Sequence, residues 1–144
     1  MSEKNVYGTF KAGIAGKATR IDRIENLRVD GMPDVNVCIS GRESWVEIKS
    51  PREPVRPATP LFGSNHKLSI DQKNWFKNQI QSKGNCYVLI RTDRRCLLLH
   101  GKYADDINDM PVDLLEELAD WKASVPTRKE NWKELRDVLK HGTE

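Results

Sequence analysis

Asp34, Glu47 and Lys49 are the residues of this sequence whose types and spacing could do chemistry together. They sit at the ends of two segments, Val35–Ile39 and Ser44–Lys49, in which apolar and polar side chains alternate. Such alternation argues for strands, and the short glycine-containing connection Ser40-Gly41-Arg42-Glu43 argues for a hairpin. With Gly41-Arg42 as a Gly-first two-residue turn, residue 40 faces 43, 39 faces 44, 36 faces 47 and 34 faces 49. Facing residues share a side of the sheet, as do residues two apart. Asp34, Asn36, Glu47 and Lys49 then project from one face. Val35, Val37, Ile39, Val46 and Ile48 project from the other, which is the expected core face. Two hard oxygen donors beside an ammonium suit a divalent cation and a water that the ammonium holds or activates. The rival reading is a cross-strand ion pair of Asp34 with Lys49 on a solvated face.

Pro33-Asp34, a gap of 12 residues and Glu47-x-Lys49 resemble the PD-(D/E)xK nuclease signature. Upstream stands Glu25 in Arg23-Ile24-Glu25-Asn26, and downstream Gln72 opens a helix of the form Ser69-x-x-Gln72-x-x-Trp75. With the Pro-rich stretch after Lys49 and the closing Leu97-Leu98-Leu99-His100-Gly101, residues 20–101 are similar to the phage-encoded, VRR-Nuc-like and Holliday-junction-resolvase-like branch of that superfamily. The resemblance implies an α/β (α+β) fold with a restriction-endonuclease-like core, a mixed β-sheet flanked by helices and followed by C-terminal helices. It implies a Mg2+-dependent endodeoxyribonuclease, with Mn2+ as a substitute, acting on branched DNA. Asp34, Glu47 and Glu25 are its implied metal ligands, Lys49 its catalytic lysine, and Gln72 a catalytic neighbour of both. A four-way junction has two-fold symmetry, which suits a homodimer.

Two of these assignments have local rivals. Glu25 lies in a charged segment with Arg20, Asp22, Arg23 and Arg28, where a plain surface glutamate also fits, and Asp22 and Asp30 compete for the same post. Ser69-Ile70-Asp71-Gln72 is a capping box, in which Gln72 reaches back to the Ser69 N–H. One side chain is expected to serve the cap or the site, not both. Asn36, opposite Glu47, is either a hydrogen-bonding neighbour of the acids or a solvated strand residue. For the whole protein, the rival reading is a non-catalytic DNA-binding or assembly protein on the same fold.

Charge distribution agrees with a polyanionic partner. The net charge is +3. Residues 1–100 carry 17 Lys/Arg against 10 Asp/Glu, and residues 101–144 carry 7 against 11, so the part holding the motif is basic and the tail acidic. Lys67, Lys73, Lys77, Arg52 and Arg56 are the candidate DNA-backbone contacts. No base-reading motif is present, so selectivity is expected for DNA structure rather than sequence. No apolar run approaches the ~20 residues of a membrane helix, and Met1-Ser2-Glu3-Lys4 lacks the shape of a signal peptide. Cys38, Cys86 and Cys96 are odd in number, without Cys-x-x-Cys spacing, and fall in expected strands. Free buried thiols in a reducing cytoplasm follow, the host cytoplasm if the protein is phage-encoded.

Length allows one domain. Residues 1–16, with Gly8, Gly13 and Gly16, are expected to be an irregular, flexible N-terminus. Residues 17–101 form the expected nuclease core and 102–144 a helical extension of the same domain. Residues 17–29 fit a short helix or a strand. The loop 50–67 holds four of the seven prolines and either lies over DNA or wraps the core through Leu61 and Phe62. Ser69–Lys83 is an expected helix, capped by Ser69, stopped at Gly84, and buried through Ile70, Phe76 and Ile80. Strands Cys86–Arg91 and Cys96–His100 follow, then one or two helical turns at 103–109. A helix starts at Pro111 with the stripe Leu114, Leu115, Leu118 and Trp121 and runs to Pro126. A last helix spans about Arg128–Lys140, with Trp132, Leu135, Val138 and Leu139 inward.

Overall fold

The computed structural model describes residues 2–25, 29–63 and 65–142. Six strands form one sheet in chain order: β1 (Thr19–Arg23), β2 (Val35–Ile39), β3 (Arg42–Lys49), β4 (Asn85–Arg91), β5 (Arg95–His100) and β6 (Trp121–Ser124). Every neighbouring pair is antiparallel except β3 and β4, which are parallel. A parallel step needs a long crossover, and here it contains helix α2 (Ile70–Gln81). Helices α1 (Glu3–Ile14) and α4 (Lys129–His141) accompany one core, with α3 (Val112–Leu118) and α2 beside the other.

The alternation read from the hairpin divides the two cores. Val35, Val37, Ile39, Val46 and Ile48 are all fully buried with Val6, Phe10 and Ile14 of α1 and Trp132, Leu135 and Leu139 of α4. Strand β4 feeds both cores: Tyr87 and Leu89 join this one, Val88 and Ile90 the other, with Phe76, Leu97, Leu99 and Leu115. The Pro-rich loop wraps that second core, since Leu61 and Phe62 are buried in it. Its far end is tied by a bridge between Pro60 and Pro111.

Several expectations are corrected. Residues 3–14 are a helix, with Ser2 accepting the Asn5 N–H at its N-terminus. Its glycines suggested irregular chain, but Val6, Phe10 and Ile14 keep a helical stripe, and packing outweighs the propensity cost. The 17–29 segment contributes strand β1; Asn26, Leu27 and Arg28 lie outside the described residues. Ile70 is 68% exposed and not core. The left-handed residue that ends α2 is Lys83 (φ 66°), one position before Gly84. The helix after Pro111 stops at Leu118, and Trp121 belongs to β6. Ala119 is already extended, and the Asp120 N–H donates to Leu98 O, starting the pairing with β5. Four residues of strand are too short for their alternation to show beside a helical stripe of matching spacing.

The glycines of α1 yield a matched test. Gly8 faces open space, whereas a methyl at Gly13 would overlap the Trp132 ring of α4. Gly8→Ala should stabilise the protein by about 0.5–1 kcal/mol through helix propensity. Gly13→Ala should destabilise it by about 1–3 kcal/mol, because overpacking exceeds the same gain. Urea denaturation of both variants checks the opposite signs.

Candidate active site

The hairpin turn decides which polar residues meet. Ser40 and Gly41, not Gly41 and Arg42, are its central residues, with φ of 50° and 87°. Two positive φ values match the mirror-image turn that suits strand twist. The register is therefore Val35↔Val46, Asn36↔Trp45 and Ile39↔Arg42, two residues away from the expected one. A shift of one would have exchanged the faces; a shift of two preserves them. One step past Val35↔Val46, Asp34 comes opposite Glu47 rather than Lys49, so the two carboxylates are neighbours.

The β2–β3 ladder ends where the acids meet. Asp34 Oδ1 accepts the Ile48 N–H at 3.3 Å, taking over from the backbone. Asp34 O accepts the Ile24 N–H at 2.6 Å, which joins the chain after β1 to the same corner. Glu47 and Lys49 lie beside Val88 and Ile90 of β4, on the second-core side of the sheet. Glu47 is 7% exposed and Lys49 8%. Lys49 Nζ stands 3.8 Å from Glu47 Oε2.

Gln72 serves the cap and the acid together, correcting the expectation that it must choose. Its Oε1 accepts the Ser69 N–H at 2.9 Å while its backbone N–H donates to Ser69 Oγ at 3.1 Å. Its Nε2 donates to Glu47 Oε2 at 3.2 Å. A carboxamide has an acceptor end and a donor end, so the two tasks use different atoms. Gly31 (φ 79°) lets the chain before Asp34 press on this turn of α2: a methyl there would overlap the Asp71 carbonyl group.

Burial raises Glu47, and the neighbouring Asp34 charge adds to it against the opposing pull of Lys49, leaving Glu47 at about 8. Burial also raises Asp34, with the Ile48 N–H bond resisting. The acid of α1, Glu3, acts on both carboxylates and pushes both upward. Sequence reasoning passed over Glu3 because it discounted the helix that carries it; the available signal was Ser2 as an N-cap before the Val6, Phe10, Ile14 stripe. Glu25 is exposed beyond β1 and is not among the principal charges acting on Asp34 or Glu47.

Other candidates fall away from this corner. Asn36 is buried but donates to Glu43 Oε1 at 3.0 Å and faces Trp45, not Glu47. Asp22 pairs with the exposed Arg20 at 3.2 Å, and Asp30 lies on the surface near Gln72. Lys73 and Lys77 line a cleft beside α2 with Lys102. Lys67, Arg52 and Arg56 are exposed. Trp75 is half-buried, edge-on to Trp45 at 5.7 Å. All three cysteines are free, Cys86 and Cys96 buried and Cys38 half-buried.

Among solved structures the chain is similar to that of Hjc, a Holliday junction resolvase from the archaeal hyperthermophile Archaeoglobus fulgidus. Identity is 14% and the TM-score 0.53, over 81% of this chain and 89% of that one. The likeness is one of fold, the mixed sheet flanked by helices. No family model matches the sequence, and no curated protein matches it.

Two predictions follow from the geometry. Glu47 sits at about 8 in the folded chain against an ordinary 4.5. The folded state thus keeps a proton that the unfolded state releases, and this contribution to stability is lost as pH rises from about 4.5 through 8. In metal-free protein, Glu47→Gln should be more stable than wild type by at least about 1 kcal/mol at pH 8.5, with the gap closing toward pH 4.5. Denaturation across that range reads it. Gly31→Ala combines a left-handed φ with a backbone overlap and should cost about 1–3 kcal/mol; a thermal melt indistinguishable from wild type would contradict the contact.

Proposed function

We propose that this protein is a metal-dependent endonuclease that hydrolyses phosphodiester bonds in branched DNA, four-way junctions above all. The observation that carries the reading is the buried Glu47 beside the half-buried Asp34, with Lys49 3.8 Å from Glu47. Its support in fold is the likeness to an archaeal Holliday junction resolvase.

The residues fit a divalent cation. Two adjacent carboxylates in a dry corner repel each other and resist ionisation, and a cation relieves both costs. Mg2+ keeps waters and takes only one or two carboxylates plus substrate phosphate. That economy matters, since no group of three or more His, Cys, Asp or Glu able to hold an ion occurs among the described residues. Asp34 and Glu47 would hold it, with Glu3 in the supporting post first assigned to Glu25. Mn2+ favours the same oxygen donors. When bound, the ion supplies Lewis-acid stabilisation of the scissile phosphate and lowers the pKa of a water.

The chain's own groups do the rest. The Lys49 ammonium orients the attacking water and balances negative charge that grows on the phosphoryl oxygens. Gln72 Nε2 fixes the rotamer of Glu47, and the Ile48 N–H fixes that of Asp34. Lys67, Lys73, Lys77, Arg52 and Arg56 neutralise backbone phosphates. A homodimer would present two such sites to the two-fold symmetric junction. A phage-type, VRR-Nuc-like origin belongs to the same proposal.

The test compares single-turnover cleavage of a labelled four-way junction, a flap and a linear duplex in Mg2+, Mn2+ and chelator. The junction should be cut fastest, and only with metal. Asp34→Asn, Glu47→Ala and Lys49→Ala should each slow cleavage by about 100-fold or more, and Glu3→Gln by about tenfold. A Lys49→Ala enzyme cutting at wild-type rate would overturn the assigned chemistry. Junction affinity should fall with salt on a log–log slope of about −0.9 per phosphate contact, in the inactive variants as well. Steep salt dependence without cleavage of any substrate would leave a DNA-binding protein instead.

A further inference from the structure

A second polar network, built by different residues, ties the Pro-rich loop to the turn between β4 and β5. Glu53 takes a two-pronged contact from Arg95, Nη2 to Oε1 at 2.8 Å and Nε to Oε2 at 2.9 Å. The Thr92 hydroxyl donates to Glu53 Oε2 at 2.6 Å, and the Glu53 N–H donates to Asp93 Oδ1 at 2.9 Å. The Glu53 side chain is 8% exposed. Thr92 Oγ1 also accepts the N–H groups of Arg94 and Arg95, which stiffens the turn. Arg95 reaches on to Asp113 and Glu116. Burying a carboxylate from a surface loop costs desolvation that only well-formed, charge-assisted bonds offset. The start of the loop is therefore tied to the β4–β5 turn at Glu53, close to the acidic site in sequence.

What the network fixes is a cleft of about 380 Å3 between Ser50, Pro51 and Arg52 on one side and Arg91, Thr92 and Asp93 on the other. It lies just past Lys49, where the parallel strands β3 and β4 end. The carboxyl ends of parallel strands are where open α/β sheets receive ligands. Two of the lining residues are arginines, and Arg94 acts electrostatically on the same corner. Asp93 is the opposing lining charge, and its Oδ1 already accepts the Glu53 N–H. Arg91 gives its Nε–H to Thr92 O at 3.1 Å, and a guanidinium has further N–H groups to offer. Two arginines lining a polar cleft beside the proposed cutting site match a phosphate better than an apolar or cationic ligand.

We propose that this cleft binds a backbone phosphate of the DNA strand, adjacent to the phosphate that is cut, with Arg52 and Arg91 as donors. Glu53 and Arg95 are positioning residues that hold Arg52 in place. The inference rests on the nuclease reading for its substrate. It differs from a general basic surface in demanding one phosphate, at one place relative to the branch point.

A chemical double-mutant cycle tests it. Four-way junctions carrying a single neutral methylphosphonate, scanned along one strand near the branch point, are titrated with wild type, Arg52→Ala, Arg91→Ala and Glu53→Gln in chelator. One position should weaken wild-type binding about tenfold. Arg52→Ala and Arg91→Ala should weaken binding of unmodified DNA to a similar extent and be insensitive to that one substitution. Glu53→Gln, with both arginines intact, should lose the same sensitivity while all other positions respond normally. Additive losses at every position would overturn the cleft. So would competition by millimolar inorganic phosphate with additive DNA losses, which would make the ligand free phosphate. Binding in chelator needs no cleavage. An inactive protein with the non-additive position therefore refutes the nuclease reading alone, and an active one with only additive losses refutes the cleft alone.

Discussion

Burying Glu47 beside Asp34 places two like charges where water can do little to separate them, and the surrounding contacts can be understood as responses to that stress. Lys49 supplies the opposite charge from the same strand. Gln72 lends a donor from α2, and the Ile48 amide lends another from β3. None of these removes the cost, as the height of Glu47 at about 8 shows. A corner left short of positive charge is a poor device for stability and a good one for attracting a cation.

The sheet gives this corner its shape. The antiparallel ladder between β2 and β3 stops at Val35, so the chain before it is free to turn toward β1, through Ile24, and toward α2, through Gly31. On its other side β3 runs parallel to β4, which forces the long crossover that contains both the Pro-rich loop and α2. The single parallel step thus brings the Pro-rich loop and the start of α2 to the end of β3. Reversing β4 would remove the need for that long connection.

How much of this was legible in sequence depends on how local the determining interaction is. The shared face of Asp34, Glu47 and Lys49 follows from period-two alternation, which survived a wrong turn because the register error was even. Their opposite numbers did not, because Ser40 taking a left-handed conformation is written in no pattern stronger than Ser-Gly. The α1 helix hid behind Gly8 and Gly13. Gly13 is there because Trp132, more than a hundred residues away, presses on it, and no local rule reports that. Missing α1 meant missing Glu3, and left Glu25, with Asp22 and Asp30 as its rivals, as the upstream acids in view. Strand β6 was lost to a helical spacing that coincidentally ran on into Trp121. The core face of the hairpin was plain, since Val35, Val37, Ile39, Val46 and Ile48 state their burial in residue type; the second core behind the acidic face was not read.

Gln72 carries an evolutionary consequence. At the third position of a helix, capping treats glutamine and glutamate as equivalents, since either side chain can accept the Ser69 N–H. Here the other end of the amide faces Glu47. A glutamate at 72 would satisfy the helix and set a further carboxylate against a pair already short of counter-charge. Codons for the two residues differ by a single base, so the exchange is readily sampled, and helix propensity would not select against it. The filter at this position is electrostatic, imposed from the far side of one amide group, and it narrows to one residue a choice that local folding rules leave at two.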